Sequence, residues 1–297
     1  MNAATLLIPE ASLIIIGVLL KRYSNWPDEF WVSAEKLVYF VLFPALLFNS
    51  IVKTPLSLQA AGPALLVAVS ALIFGIFLAY LSRLFMKPDP VRFASGVQCA
   101  FRFNSYVALA MAERVGGQPG LALCALVVGV TVPLCNLAAV YPLARQAGTN
   151  FFGELIKNPL ILATCAGLLG NLAGLHLPTP VSLTLSKLGA AALALGLICV
   201  GAGLRFAQVK NREISFTIWV QCVKSLGLPA FAWFASAWMG LGAMEKSVVI
   251  LYSAMPTASA SYILANRMGG DGAYVAFLIS VSLMVSIFAL PMWLSFL

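Results

Sequence analysis

Two short polar stretches interrupt otherwise apolar sequence, and they hold the residues best suited to chemistry. The first is Gln98-Cys99-Ala100-Phe101-Arg102-Phe103-Asn104-Ser105-Tyr106. The second is Tyr252-Ser253-Ala254-Met255-Pro256-Thr257-Ala258-Ser259-Ala260-Ser261. Arg102 offers a planar fork of donors that matches a carboxylate. Asn104, Ser105, Thr257 and Ser259 add neutral donors and acceptors. Pro256 removes a backbone donor and clashes with the preceding turn, which frees carbonyls. This set would hold a small anion. It would not break a bond, since no nucleophile–base pair, H-E-x-x-H, G-x-S-x-G or pair of buried aspartates accompanies it. Lys224, within Gln221-Cys222-Val223-Lys224-Ser225, is a second deep cation. It is a candidate for coupling or charge compensation, with Glu113 as an acid that could share that role.

The elements around these stretches must be membrane helices. The chain is 61% hydrophobic and only 9% charged, with a mean hydropathy of +0.96. Soluble domains are about 25% charged, so this surface could not be wetted by water. Apolar runs near bilayer length recur throughout. Six cysteines (Cys99, Cys124, Cys135, Cys165, Cys199, Cys222) fall inside those runs without C-x-x-C spacing. That pattern supports neither a metal site nor a disulfide framework. No phosphate-binding G-x-x-x-x-G-K-[ST] occurs, which excludes an ATP-driven pump domain within the chain. His176 stands in a Gly/Pro-rich loop and reads as merely solvated.

Ten spans are expected, at about 6–20, 35–52, 64–82, 93–112 and 119–143, then 159–175, 181–204, 214–239, 246–265 and 273–296. Connections 1–2, 3–4, 5–6, 7–8 and 9–10 hold Lys21, Arg22, Arg83, Lys87, Arg92, Arg145, Lys157, Arg205, Lys210, Arg212 and Arg267. The other connections hold only Lys53, Arg114 and Lys246. Positive charge stays inside, so the basic set belongs in the cytoplasm and both termini outside. The same sorting accounts for the net charge of +8 without invoking nucleic acid.

The chain also resembles itself. Ala112-Glu113-Arg114-Val115-Gly116-Gly117 matches Ala265-Asn266-Arg267-Met268-Gly269-Gly270 at an offset of 153. Glu35-Lys36-Leu37 pairs with Ser186-Lys187-Leu188, and Gly17-Val18-Leu19-Leu20 with Gly167-Leu168-Leu169-Gly170. Two repeats, 1–148 and 149–297, are expected. Five helices each would insert the second upside down and place a site between them near mid-depth. The 153 offset makes Asn104 equivalent to Thr257 and Gly116, Gly117 equivalent to Gly269, Gly270, which read as hinges. Arg102 lies about nine residues into its span, roughly 13 Å from either end at 1.5 Å per residue. A cation at that depth is costly unless it faces a partner or water.

Pro9 and Gly17 of the first span, Leu42-Phe43-Pro44-Ala45-Leu46-Leu47-Phe48, Asn104, Asn158-Pro159-Leu160, and Ala254-Met255-Pro256-Thr257-Ala258 with Gly269-Gly270-Asp271 carry a family resemblance. Over essentially its whole length the chain resembles the auxin efflux carriers in the broad sense, including bacterial carriers for malonate and other organic acids. The resemblance implies ten helices in two inverted repeats, with broken helices 4 and 9 crossing in an X that binds a carboxylate. It also implies a scaffold of helices 1, 2, 6 and 7, and a transport part of helices 3–5 and 8–10 that moves as an elevator. The bile-acid sodium symporters look like structural relatives. This chain lacks the long cytoplasmic loop of plant members. Its Arg102-Phe103-Asn104-Ser105-Tyr106 also departs from their Gly- and Pro-containing pattern, favouring a smaller, more strongly anionic substrate than auxin.

The reading is therefore an all-α polytopic membrane protein, a secondary transporter and not an enzyme. It moves small organic anions, carboxylates or dicarboxylates, across a bacterial inner membrane. Arg102, Asn104, Ser105, Pro256, Thr257 and Ser259 would bind substrate. Its partners are that anion and the lipid bilayer, with a second copy of the chain as an option, and it needs no cofactor or metal. A sodium-coupled symporter of bile-acid-like or other organic anions is an alternative, with Gln98, Ser253, Thr257, Ser259 and Ser261 as oxygen ligands. A ligand sensor that moves nothing is another.

Overall fold

A computed structural model describes residues 3–53, 58–148, 159–203 and 214–296. The basic connection Gln208–Arg212, with Arg205, lies outside the described residues, as do Lys157 and Asn158. The described residues form helices and no strand. This is the expected answer for apolar sequence in lipid, where each backbone group must be satisfied by the chain itself.

In chain order the helices are α1 (Ala3–Tyr23), α2 (Asp28–Lys53), α3 (Leu58–Phe85), α4 (Pro90–Gly96) and α5 (Ser105–Ala147). Then follow α6 (Pro159–Leu172), α7 (Thr179–Gly203), α8 (Ile214–Trp238), α9 (Ala243–Ala254), α10 (Ala260–Arg267) and α11 (Gly272–Leu294). Among the described residues, six helices are long and apolar enough to cross a membrane: Asp28–Lys53, Ala61–Phe85, Pro119–Ala147, Thr179–Gly203, Ile214–Trp238 and Gly272–Leu294. They fall on the second, third, fifth, seventh, eighth and tenth expected spans. The fourth and ninth spans are each divided by non-helical backbone, which leaves pieces shorter than a crossing. α2 and α8 each contain one wider π turn, Val38–Leu42 and Val223–Gly227. Such turns leave carbonyls to be satisfied from outside the helix. In α8 the Ser225 carbonyl accepts from the indole N–H of Trp293 at 2.9 Å. Trp293 is thus a buried tie between α8 and α11.

The apolar interior divides into two clusters. The larger joins α3, α4, α5, α8, α9, α10 and α11. The smaller joins Val38, Tyr39, Leu42, Phe43 and Leu47 of α2 with Ala192 of α7 and Ile263 of α10. α1 packs along α7 through two glycines. A side-chain carbon on Gly17 would collide with the Ile198 carbonyl oxygen, and one on Gly201 with that of Ile14. Two backbones can approach that closely only where side chains are missing. Gly17→Val and Gly201→Val should therefore each cost about 1–3 kcal/mol through overpacking, lowering the thermal unfolding midpoint in detergent. Gly62→Ala, with nothing within 4 Å of the added carbon, is the control that should not lower the midpoint.

Candidate functional site

Both interruptions are built from ordinary local rules. Asp89 starts α4 by accepting the N–H groups of Val91 and Arg92 at 3.0 and 3.1 Å, with Pro90 at the first helical position. The chain tightens into a 3-10 turn over Val97–Ala100, then loses helical form until Ser105. Asn104 starts α5: its side-chain oxygen accepts from the Val107 N–H at 3.3 Å, its carbonyl from that of Ala108 at 3.1 Å. In the ninth span α9 stops at Ala254, and α10 begins at Ala260 beyond Pro256.

The two interruptions meet and satisfy each other. The Asn104 N–H donates to the Pro256 carbonyl at 2.8 Å. The Thr257 hydroxyl donates to the Cys99 carbonyl at 2.8 Å. Ser282 of α11 accepts the Thr257 N–H at 2.9 Å. Backbone groups released by leaving the helix are thus recovered from the opposite break.

Arg102 sits where the two interruptions meet, at 5% exposure. Its guanidinium donates to the side-chain oxygens of Gln98 at 2.9 Å and Asn136 at 2.6 Å. Gln98 is itself held by donating to the carbonyls of Ser95 at 3.0 Å and Ser261 at 3.3 Å. Both partners of Arg102 are neutral, and among the described residues it forms no ion pair. Arg102 borders a cavity of about 70 Å³, together with Asn104, Ser105, Asn136 and Ser259. A water needs about 10–15 Å³ measured the same way, so several waters or a small acid would fit. The opposite wall is apolar: Phe43, Leu46, Leu47 and Ile51 of α2. The cavity therefore lies where the smaller apolar cluster faces the larger one. Among the described residues the buried side-chain nitrogen of Asn136 has no hydrogen-bond partner, although Asn136 lines this space.

Lys224 does not reach the cavity. It lies at 1% exposure on the π turn of α8, and its ammonium has no hydrogen-bond partner among the described residues. It stands 5.9 Å from the ring centroid of Phe103, whose side chain also lines the cavity. Phe103 in turn packs on Tyr252 with centroids 4.0 Å apart.

The expected site residues therefore separate into groups. Arg102, Asn104, Ser105 and Ser259 border the main cavity. Pro256 and Thr257 border instead a smaller space of about 10 Å³ beside Ile14 and Leu197. The Thr257 hydroxyl is committed to Cys99 and Ser282. Glu113 is exposed toward the far end of the first limb of α5. Gly117 takes φ 59° and ψ −153° where α5 changes direction, and Gly269 takes φ 72°. Gly116 lies against Met244, and Gly270 against Ser95. Among the candidate sodium ligands, Ser253 donates to the Val249 carbonyl and Gln98 is engaged with Arg102.

Asn136 escaped the sequence reading because it belongs to no pattern. Its signal was that it is the one amide side chain in the 119–143 span. Glu35 was also missed as an acid with partners. It is half-buried in α2, and its carboxylate accepts from Tyr262 and Asn266 of α10.

Residues 142–294 match the family model described as "Membrane transport protein", just over half of the chain. The chain belongs to that family. Family membership makes it an integral membrane transporter and not an enzyme, in agreement with the resemblance to auxin efflux carriers. It is 24% identical over 288 residues to an uncharacterized transporter of Methanothermobacter thermautotrophicus, covering 95% of this chain and 94% of that one. It is 23% identical over 291 residues to a Rhizobium meliloti protein provisionally named a malonate transporter, covering 89% and 86%.

The crossing generates a direct test in this transporter. Thr257→Val keeps shape but removes the donor to Cys99 and strands a buried carbonyl, which should cost about 1–3 kcal/mol of folding stability. Thr257→Ser keeps the hydroxyl and should recover most of the loss. Thermal unfolding of both variants beside the parent checks the difference.

Proposed function

We propose that this transporter carries small organic anions, carboxylates or dicarboxylates, through the cavity beside Arg102. One observation carries the reading: a buried guanidinium with only neutral partners among the described residues borders a cavity of small-molecule size. An uncompensated cation at this depth is expensive, and an entering carboxylate would relieve that cost. Two helix starts add to the attraction. α5 begins at Ser105 and α10 at Ala260, and both residues line the cavity. Helix N-termini carry partial positive charge and free N–H groups. In this reading Arg102, Asn104, Ser105 and Ser259 face the substrate, and Asn136 offers its unused N–H₂. Pro256 and Thr257 hold the crossing in shape. The provisional name of the Rhizobium relative points the same way.

Movement in this reading is of the elevator type. Helices of spans 3–5 and 8–10 form the transport part, and those of spans 1, 2, 6 and 7 the scaffold. The division into two apolar clusters, with the cavity where they face each other, supports it. The two halves are inverted repeats, 1–148 and 149–297. Gly116, Gly117, Gly269 and Gly270 lie at the limbs' ends. Lys224 balances charge behind Phe103 when the substrate arrives or leaves, and the membrane is a bacterial inner membrane with both termini outside.

Equilibrium binding of malonate to purified protein tests the site. Arg102→Gln should weaken binding by about 1.5–3 kcal/mol, the usual worth of a charge-assisted hydrogen bond. Arg102→Lys should recover only part, because a point charge cannot reproduce the fork. Unchanged affinity in both variants would make Arg102 structural. Malonate flux into sealed vesicles, with and without a sodium gradient, reports movement and coupling. A sodium requirement would favour the symporter instead. Orientation is read separately by single-cysteine labelling in a cysteine-free background. An impermeant reagent applied to intact cells should reach residue 176 and not residue 210.

A further inference from the structure

The face where α3 meets the second limb of α5 holds two adjoining hollows that the transport site does not use. One, of about 190 Å³, is bounded by Arg83, Arg145, Gln146 and the Pro88–Pro90 turn. The other is a wider, more open groove of about 400 Å³ lined by Ile73, Ile76, Leu134, Leu137 and Ala138. Tyr80 and Tyr141 border both, so the basic hollow continues into the apolar one. The Tyr80 hydroxyl donates to the Ala138 carbonyl at 2.7 Å and fixes the two helices at this junction.

Both arginines are exposed, and neither forms an ion pair among the described residues. Arg83 lies 5.6 Å from the ring of Phe93. Asp89, the acid of the same turn, accepts the backbone N–H groups of Val91 and Arg92. Below them the lining is apolar at helical spacing on both helices. From Ile73 to Arg83 is ten residues, about 15 Å along a helix. That is half of the roughly 30 Å hydrocarbon core, the depth of one leaflet. The tyrosines stand between the charged and apolar parts, where aromatic side chains settle at a membrane interface.

We propose that this face binds an anionic phospholipid, its phosphate between Arg83 and Arg145 and one acyl chain along the groove. Charge complementarity selects the headgroup, and the groove's length and lining select a lipid over a soluble anion. Basic hollows between membrane helices on the cytoplasmic side suit such lipids, and positive-charge sorting puts Arg83 and Arg145 on that side. The site is independent of the carboxylate reading, since it shares no residue with the cavity beside Arg102.

The full chain, purified from an equimolar phosphatidylglycerol–phosphatidylcholine mixture, is examined for retained lipid by native mass spectrometry. Each arginine should contribute about fivefold to the preference for phosphatidylglycerol, some 25-fold together. Arg83→Gln with Arg145→Gln should bring the preference close to one. Lysine at both positions should keep most of it, and Arg22→Gln should leave it unchanged. Leu137→Trp, which fills the groove, should reduce retention while the arginines are intact. Equal retention of the two lipids by the parent chain overturns the proposal, as does an undiminished preference in the double glutamine variant. Displacement of phosphatidylglycerol by equimolar inorganic phosphate would also overturn it, since the hollow would then be a site for soluble anions.

Discussion

A chain that leaves the helix inside a bilayer must recover its lost hydrogen bonds from elsewhere in the protein, and the rest of this structure depends on that constraint. Water is not there to help, and each unpaired buried group is costly. The protein meets the constraint by bringing two breaks together. Asn104 donates to the carbonyl of Pro256, and Thr257 donates to the carbonyl of Cys99. Ser282 of α11 then fixes Thr257 from behind. Neither break would be tolerable alone. Each is the other's partner, so residues distant in sequence are locked together.

Once the crossing exists, it creates a place for a charge. Arg102 is oriented by Gln98 and Asn136, and Gln98 by carbonyls from both crossing spans. The fork is therefore preorganised, although among the described residues no acid neutralises its charge. A site that orients a cation while leaving its charge uncancelled favours an anion more than one in which a carboxylate is already bound. Lys224, close behind Phe103, adds a second buried nitrogen with no acid in hydrogen-bond reach among the described residues. The two together set the electrostatic character of the interior.

The packing around the crossing is unequal. The large cluster is continuous through both broken spans, whereas α2 and α7 contribute a smaller one, and Val132 and Tyr262 pack against both. The cavity opens along this thinner contact, with apolar α2 side chains on one wall and the crossing on the other. Glu35 spans the same boundary through Tyr262 and Asn266. Polar bonds across a boundary can be exchanged for others at modest net cost, while the apolar continuity inside each cluster resists separation.

The sequence by itself determined the class of the protein and where its helices had to yield. Composition excluded a water-wetted surface, and Pro256 amid Thr257, Ser259 and Ser261 marked a break by local chemistry alone. Asn104 and Arg102 could be picked out because a polar or charged side chain in mid-span is rare enough to need a reason. Only the tertiary structure decided how those residues divide their work. The 153-residue offset made Asn104 and Thr257 look alike, yet Asn104 borders the larger cavity and Thr257 spends its hydroxyl on a carbonyl. Asn136 and Gln98 emerged as the partners of Arg102 because hydrogen-bond geometry depends on how separate helices are placed. No period or local preference encodes that placement. The π turns of α2 and α8 escaped for the same reason, since a single wider turn is a response to neighbouring helices and leaves no mark on the hydrophobic pattern.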